Sequence, residues 1–311
     1  MKLENILKLT QENLKNKLAK MFKNAVVADG YIYVPGNIPV MVTAHLDTVH
    51  KAPPKQICYS NDGNILMSPQ GIGGDDRVGV WAILQILKTH KPHVLFCEDE
   101  EAGAHGARKF IKSGIEPDIK YIIGLDRRGK NDAVFYDCAN EKFTEFVTSF
   151  GFKETFGSFS DISIIAPALS VAAVNLSVGF FNEHTKHEYI DLSATKKTIK
   201  RVKLMLETKT EKFEYIPYEW GGKWGNIWEN FDYSDTMELV ELSGVELMEL
   251  SDSDYIVTDM GDIIESGEWY FMDDLGKIYT YIEDLELLPG YTAYNKNNLP
   301  VRFDAEKTFI L

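Results

Sequence analysis

Long apolar runs are missing from this 311-residue chain: no stretch approaches the roughly twenty consecutive apolar residues that a membrane span needs. The opening MKLENILKLTQENLKNKL sets charges among leucines at helical spacing. It lacks both an apolar core and a small-residue cleavage site, which predicts an amphipathic surface helix rather than a secretion signal. Cysteine is scarce as well. Cys58, Cys97 and Cys138 stand far apart with no CxxC spacing, which excludes a disulfide framework and a thiolate zinc site and points to the reducing cytoplasm. No GxSxG elbow, no GxxxxGK(S/T) phosphate loop and no complete dinucleotide fingerprint occurs, so serine-hydrolase and nucleotide-binding readings lose their support. Positive charge is short in one place only: residues 1–210 hold 27 Lys+Arg against 24 Asp+Glu, residues 211–311 only 6 against 23. Such an acidic surface opposes phosphate backbones, so nucleic acid is not an expected ligand.

Residues 1–210 alternate short apolar runs with helical patterns. Strands are expected at Val40 to Ala44, Val94 to Cys97, Tyr121 to Leu125 and Val171 to Leu176. Helices are expected at Val78 to Lys88, Ala104 to Lys112, Glu141 to Phe150 and Ala194 to Leu206. That order predicts an α/β fold of three layers, α/β/α, around a mixed, mainly parallel sheet. A boundary is expected near Thr208 to Tyr218, giving a catalytic domain at 1–210 and a smaller, acidic, β-rich region at 211–311. Within the latter, strands are expected in Asp254 to Thr258, Glu268 to Met272 and Lys277 to Ile282. Trp220, Trp224 and Trp228 recur at helical spacing and predict one packed face. This acidic region could also mediate homo-oligomer formation or bind a protein partner.

Five polar clusters fall where expected strands run out into loops, the place where open α/β sheets build their sites. TAHLDTVH offers His45 and Asp47; alternate residues of an extended segment share a side, so the acid can hold the imidazole from behind. GIGGDDRVG offers Asp75 and Asp76 just before a helix, where acids are also good caps. CEDEEAG offers Glu100 and Glu101, a solvated acidic loop or the pairing of one metal ligand with one free base. GLDRRG offers Asp126, and NEHTKHEYIDL offers His184 or His187. Each alone reads equally as a turn. Together they form an oxygen and nitrogen donor set without sulfur, suited to zinc, cobalt or manganese.

In motif and order, HLD at 45–47, DDRVG at 75–79, EEAG at 100–103, the Asp126 of GLD and HTKHE at 184–188 resemble the two-metal zinc exopeptidases. That superfamily includes tetrahedral and bacterial leucyl-type aminopeptidases, peptidase T, and desuccinylase and carboxypeptidase relatives. The resemblance covers residues 35–206 and implies two Zn2+ ions. Asp75 would bridge them, with Asp76 the alternative; His45 and Asp126 would complete one ion, Glu101 and His184 the other. It further implies Glu100 as general base and Asp47 as the acid orienting His45. The HxxxE spacing to Glu188 favours His184 over His187. Asp161, in FSDIS, matches an acid near the site in relatives, without an assigned role. Only 57 residues separate Asp126 from His184, too few for the lid domain that some relatives insert. The expected function is therefore a cytoplasmic aminopeptidase acting on peptides. Its alternatives are a carboxypeptidase or N-acyl amino-acid deacylase and, from another class, an inactive peptidase-fold binding protein.

Overall fold

The computed structural model describes residues 1–216 except 158, together with eight short strand segments between residues 245 and 310. The chain divides into two compact units, Met1–Trp220 and Gly221–Leu311. The first is built on an eight-stranded sheet. Across it run Val26–Ala28, Tyr31–Val34, Pro92–Cys97, Ile38–His45, Ile122–Arg127, Ala173–Ser177, Asp132–Val134 and Lys153–Glu154. The four central strands are parallel neighbours, and antiparallel partners join on both sides.

Both faces of this sheet are covered, and the alternation along its strands shows how. In Ile38–His45, Val40, Val42 and Ala44 enter the larger core while Met41 enters the other. Val94 and Phe96 face the first core, Leu95 and Cys97 the second. Period-two side-chain direction thus turns near-continuous apolar runs into two cores, as a buried parallel sheet requires. Helices Gly74–Ile86, Glu141–Ser149 and Leu192–Glu207 pack on the first face, His105–Lys112 and Asp161–Leu169 on the second. The result is the three-layer α/β/α arrangement with a mixed, mainly parallel sheet. A smaller antiparallel sheet, ordered Phe180–Phe181, Tyr189–Asp191, Ile65–Met67 and Cys58–Tyr59, lies within the same unit.

The single amphipathic surface helix expected at the start is two helices, Leu3–Leu7 and Gln11–Met21. Thr10 breaks it: its backbone is extended and its Oγ1 accepts the Asn13 amide proton at 3.3 Å, a side-chain N-cap. Leu3, Ile6, Leu7, Leu14 and Leu18 are buried in the first core, so the pair belongs to the domain. Strands Val26–Ala28, Tyr31–Val34, Asp132–Val134 and Lys153–Glu154 escaped the sequence reading because each is four residues or fewer.

In the second unit, Val245–Glu249 pairs antiparallel with Trp269–Asp273, which pairs in turn with Ile278–Tyr279. Strands therefore fall in all three expected segments, with Ile256–Val257 in the first. The tryptophan face at 220, 224 and 228 lies outside the described residues.

One glycine sets how closely the helix Gly74–Ile86 approaches the sheet. A Cβ on Gly79 would stand 1.9 Å from the Leu125 carbonyl oxygen and 2.3 Å from Asp76 Oδ1. Gly79→Ala must therefore push helix and strand apart beside Asp75 and Asp126. It is expected to cost about 1–3 kcal/mol in denaturant unfolding, as overpacking does; an unchanged midpoint would refute this close approach.

Candidate metal centre

The strand Ile38–His45 delivers His45 at its C-terminal end, Pro92–Cys97 runs out into the acidic loop, and Ile122–Arg127 carries Asp126 near its end. These parallel strands end on one edge of the sheet, so three of the five clusters meet there. Asp75 and Asp76 arrive from the start of Gly74–Ile86, where both have non-helical backbone angles and are joined by a cis peptide bond. His184 comes from the loop after Phe180–Phe181, in a left-handed conformation with φ 62°.

The polar atoms converge in two groups that share one residue. His45 Nε2 lies 3.1 Å from Asp75 Oδ1 and 3.3 Å from Asp126 Oδ1. His184 Nε2 lies 3.3 Å from Asp75 Oδ2 and 3.1 Å from Glu101 Oε1. Each imidazole nitrogen thus faces two acid oxygens, and the Asp75 carboxylate gives one oxygen to each group. Ligand atoms around a tetrahedral zinc at about 2.1 Å stand about 3.4 Å apart. The histidine-to-acid distances of 3.1–3.3 Å in both groups are of that order, and Asp75, Glu101 and His184 also form a mutually close set of donor atoms.

Asp76 competes on distance, since one of its oxygens lies within 4.8 Å of ligand atoms of His45 and Asp126. Its bonds argue otherwise. Oδ2 accepts the His45 amide proton at 3.3 Å and Oδ1 the Gly79 amide proton at 2.9 Å, so both oxygens serve the backbone. Asp75 has its side chain free for the site, while its amide donates to Glu188. His187 is exposed and belongs to neither group; its amide donates to Thr185 Oγ1 at 3.1 Å.

Asp47 Oδ1 sits 3.2 Å from His45 Nδ1, within ion-pair range although off the line of an ideal hydrogen bond. The same carboxylate accepts the amide protons of Glu100 at 3.1 Å and Glu101 at 3.0 Å. It therefore ties the first imidazole to the acidic loop. Among the described residues the Glu100 carboxylate has no hydrogen-bond partner, while Glu101 is directed to His184. Asp161 starts the helix Asp161–Leu169, buried, and its Oδ1 has no partner among the described residues. It joins neither donor group.

Charge crowding shows in the titration of these groups. Burial raises Asp75 to about 6, and His184 and His45 only partly oppose it. Burial, then the Asp126 charge, raises Glu100 to about 9; burial raises Asp161 to about 7. Hydrogen bonds that the His184 ring donates to Asp75 and Glu101 raise it to about 10. For His45, burial pulls downward, but the Asp126 charge and the neighbouring acids carry it well above its usual value. Burial pulls Asp47 upward, yet the His45 ring holds it at about 2. The neighbouring acids thus favour the protonated form of each imidazole.

Several contacts essential to this geometry were not read from the sequence, including those of Glu188, which entered there only as the acid of HxxxE. Asn175, fully buried, accepts the Asp126 amide proton at 2.9 Å and donates Nδ2 to Asp126 Oδ2 at 3.2 Å. Ser160 donates to the same oxygen at 3.2 Å, leaving Oδ1 for His45. Glu188, also buried, accepts the amide protons of Gly73 at 2.9 Å and Asp75 at 2.8 Å, and faces His50 Nε2 at 3.1 Å. Gln11 donates to Asp99 at 2.9 Å and Lys15 pairs with Glu98, so the N-terminal helix pins the acidic loop from outside. A lone amide within the apolar AVNLS strand was the one available signal for Asn175.

Sheet and family match together place the chain in the class of metal-dependent peptidases, which are hydrolases. More particularly, residues 33–153 match the family described as Peptidase family M28, a span that includes His45, Asp75, Glu100, Glu101 and Asp126 but not His184. No curated protein matches the chain. Among solved structures, aminopeptidase PepT from Bacillus cereus superposes with a TM-score of 0.55 at 15% identity, covering 66% of this chain and 96% of that one. An aminopeptidase from the archaeon Desulfurococcus kamchatkensis gives 0.53 at 16% identity, covering 67% and 94%. A tripeptidase from Staphylococcus aureus gives 0.53 at 11% identity, covering 66% and 97%. These likenesses establish the fold, and the exopeptidase resemblance read from the motifs agrees with them.

Asn175→Ala frees Asp126 Oδ2 of its amide partner. Zinc affinity measured by competition with a chromophoric chelator is expected to fall about 10–100-fold, the usual cost of losing a group that orients a ligand. Wild-type affinity in this variant would rule out the orienting role.

Proposed function

We propose that residues 1–210 form a catalytic domain holding two divalent ions, with zinc favoured by the donor set and cobalt or manganese as substitutes. Asp75 would serve both ions, with His45 and Asp126 holding one and Glu101 and His184 the other. The observation that carries this reading is the pair of imidazole nitrogens, each facing two acid oxygens, with Asp75 supplying one oxygen to each. When bound, such ions supply Lewis acidity toward a carbonyl oxygen and lower the pKa of a water.

The remaining chemistry falls to Glu100. Its carboxylate is free of protein hydrogen bonds among the described residues and stands beside both donor groups. It takes the proton of the attacking water and returns it to the leaving amine nitrogen. Burial first, and then the Asp126 charge, hold it at about 9 in the metal-free chain; cations among the acids would offset the second of these and lower it toward the range where a group that both accepts and donates works best. Asp47 acts by position: it holds the His45 ring and fixes the peptide carrying Glu100 and Glu101.

Aminopeptidase is the preferred activity, supported by the DDRVG form of the second motif, the absence of an inserted lid domain, and the aminopeptidases among the structures of similar fold. Spare acid groups near the site are available to a substrate's free α-amine. Cytoplasmic placement is supported by the three free cysteines, two of them buried. No described helix is long and apolar enough to cross a membrane.

The decisive experiment couples metal analysis of the purified chain with release of free amino acids from a mixed peptide pool. About two ions per chain and release of N-terminal residues are expected. Glu100→Gln should retain the metal and lose about a hundred- to ten-thousandfold in kcat. Cleavage of C-terminal residues or acyl groups instead would move the activity to carboxypeptidase or deacylase, and absence of both metal and hydrolysis would refute the assignment.

Metal uptake should also expel protons. In the metal-free chain His184 titrates at about 10 and His45 well above its usual value, so both are protonated at neutral pH and must lose a proton to bind. Calorimetric titration with zinc in two buffers of different ionisation enthalpy is expected to report release of about two protons. Because Asp75 itself protonates near 6, affinity should fall steeply below that pH. Uptake without proton release would contradict the ligand set.

A further inference from the structure

Arg77, third residue of the DDRVG motif, is only 4% exposed. Its Nε and Nη1 are buried, and neither finds a partner among the described residues. The two acids whose charges act on it, Asp47 and Asp76, are committed elsewhere. Asp47 accepts from the amides of Glu100 and Glu101, Asp76 from those of His45 and Gly79. An arginine guanidinium keeps its charge throughout the neutral range. A buried cation without hydrogen bonds costs several kcal/mol, and arginine has five donors to satisfy.

Arg77 lines a cavity of about 210 Å³ that Asp47, whose oxygens are taken by the Glu100 and Glu101 amides, also borders. Thr10 and Gln11, at the start of the 11-residue helix Gln11–Met21, also line it and bring the positive end of the helix dipole near, with the Asn13 amide already taken by Thr10 Oγ1. Lys51 stands exposed on the rim. His50 also reaches the cavity but is engaged by Glu188. Leu7, Leu9, Pro54 and Ile72 give the lining an apolar share as well.

We infer that this cavity is an anion site for a small aliphatic carboxylate, whose oxygens meet Arg77 and the helix start while its carbon tail lies on Leu7, Leu9 and Ile72. A planar guanidinium matches a carboxylate in a bidentate manner. The size suits a ligand of a few carbon atoms, smaller than the usual drug-sized pocket. An inorganic oxyanion would satisfy the cationic half alone and leave the apolar wall wet. The site does not depend on metal, since none of the proposed ligands lines it.

The test titrates the full chain with isovalerate and, separately, with inorganic phosphate, following amide shifts by NMR, before and after dialysis against a chelator. Saturable isovalerate binding that survives metal removal, tighter than phosphate, is expected. Arg77→Gln should weaken it about ten- to a hundredfold. Lys51→Ala, a surface change that leaves the core intact, should weaken it a few-fold. Binding lost with the metal would locate the ligand on the ions and overturn the Arg77 site while leaving the hydrolase reading untouched. Tighter phosphate binding would overturn the carboxylate assignment, and absence of saturable binding up to millimolar ligand would overturn the site altogether.

Discussion

Like charges dislike sharing a small, dry volume, and Asp75, Asp126, Glu100 and Glu101 are brought together against two imidazoles at one edge of a sheet. In a medium of reduced dielectric their repulsion would scatter the loops that carry them. The surrounding structure answers with backbone amides and neutral donors. Asp47 grips the acidic loop by two amides, Glu188 grips the Gly73–Asp75 turn by two more, and Asn175 with Ser160 fixes Asp126. None of these anchors supplies a full compensating charge. The acids are thus held in place without being neutralised, the condition that the proposed cations would relieve.

The first sheet and the atoms at its edge were largely legible in the sequence, for a physical reason. A parallel strand is a short apolar run, and a polar residue at its end has no packing role, so His45 and Asp126 stand out against their strands. Asp75, Glu100 and Glu101 follow the same logic in the loops between strand and helix. The proposal of Asp75 over Asp76 rests on motif spacing, and it is consistent with Asp76 having both oxygens on backbone amides.

What escaped was partnership over distance. Glu188 sits 115 residues from Gly73, and Gln11 sits 88 from Asp99; no local pattern announces either pair. Glu98 and Asp99 read as two more acids in a run, whereas Lys15 and Gln11 turn them outward and leave only the last two for the site. The opening helix, read as a surface feature, proved to be two helices with buried leucines, because a single capping threonine interrupts a pattern that hydrophobic spacing alone carries through. Edge strands of three or four residues lie below what alternation can register.

The two histidines differ in their setting. The His45 side chain is 1% exposed and lies at the end of a central strand, while that of His184 is 53% exposed on a loop residue with positive φ. Two ions held by such unequal halves would not exchange at equal rates. The inner one would behave as part of the fold, and the outer would come and go with its concentration in the surroundings. Catalytic output would then track the supply of the more labile ion, so that metal availability could grade activity at constant protein abundance.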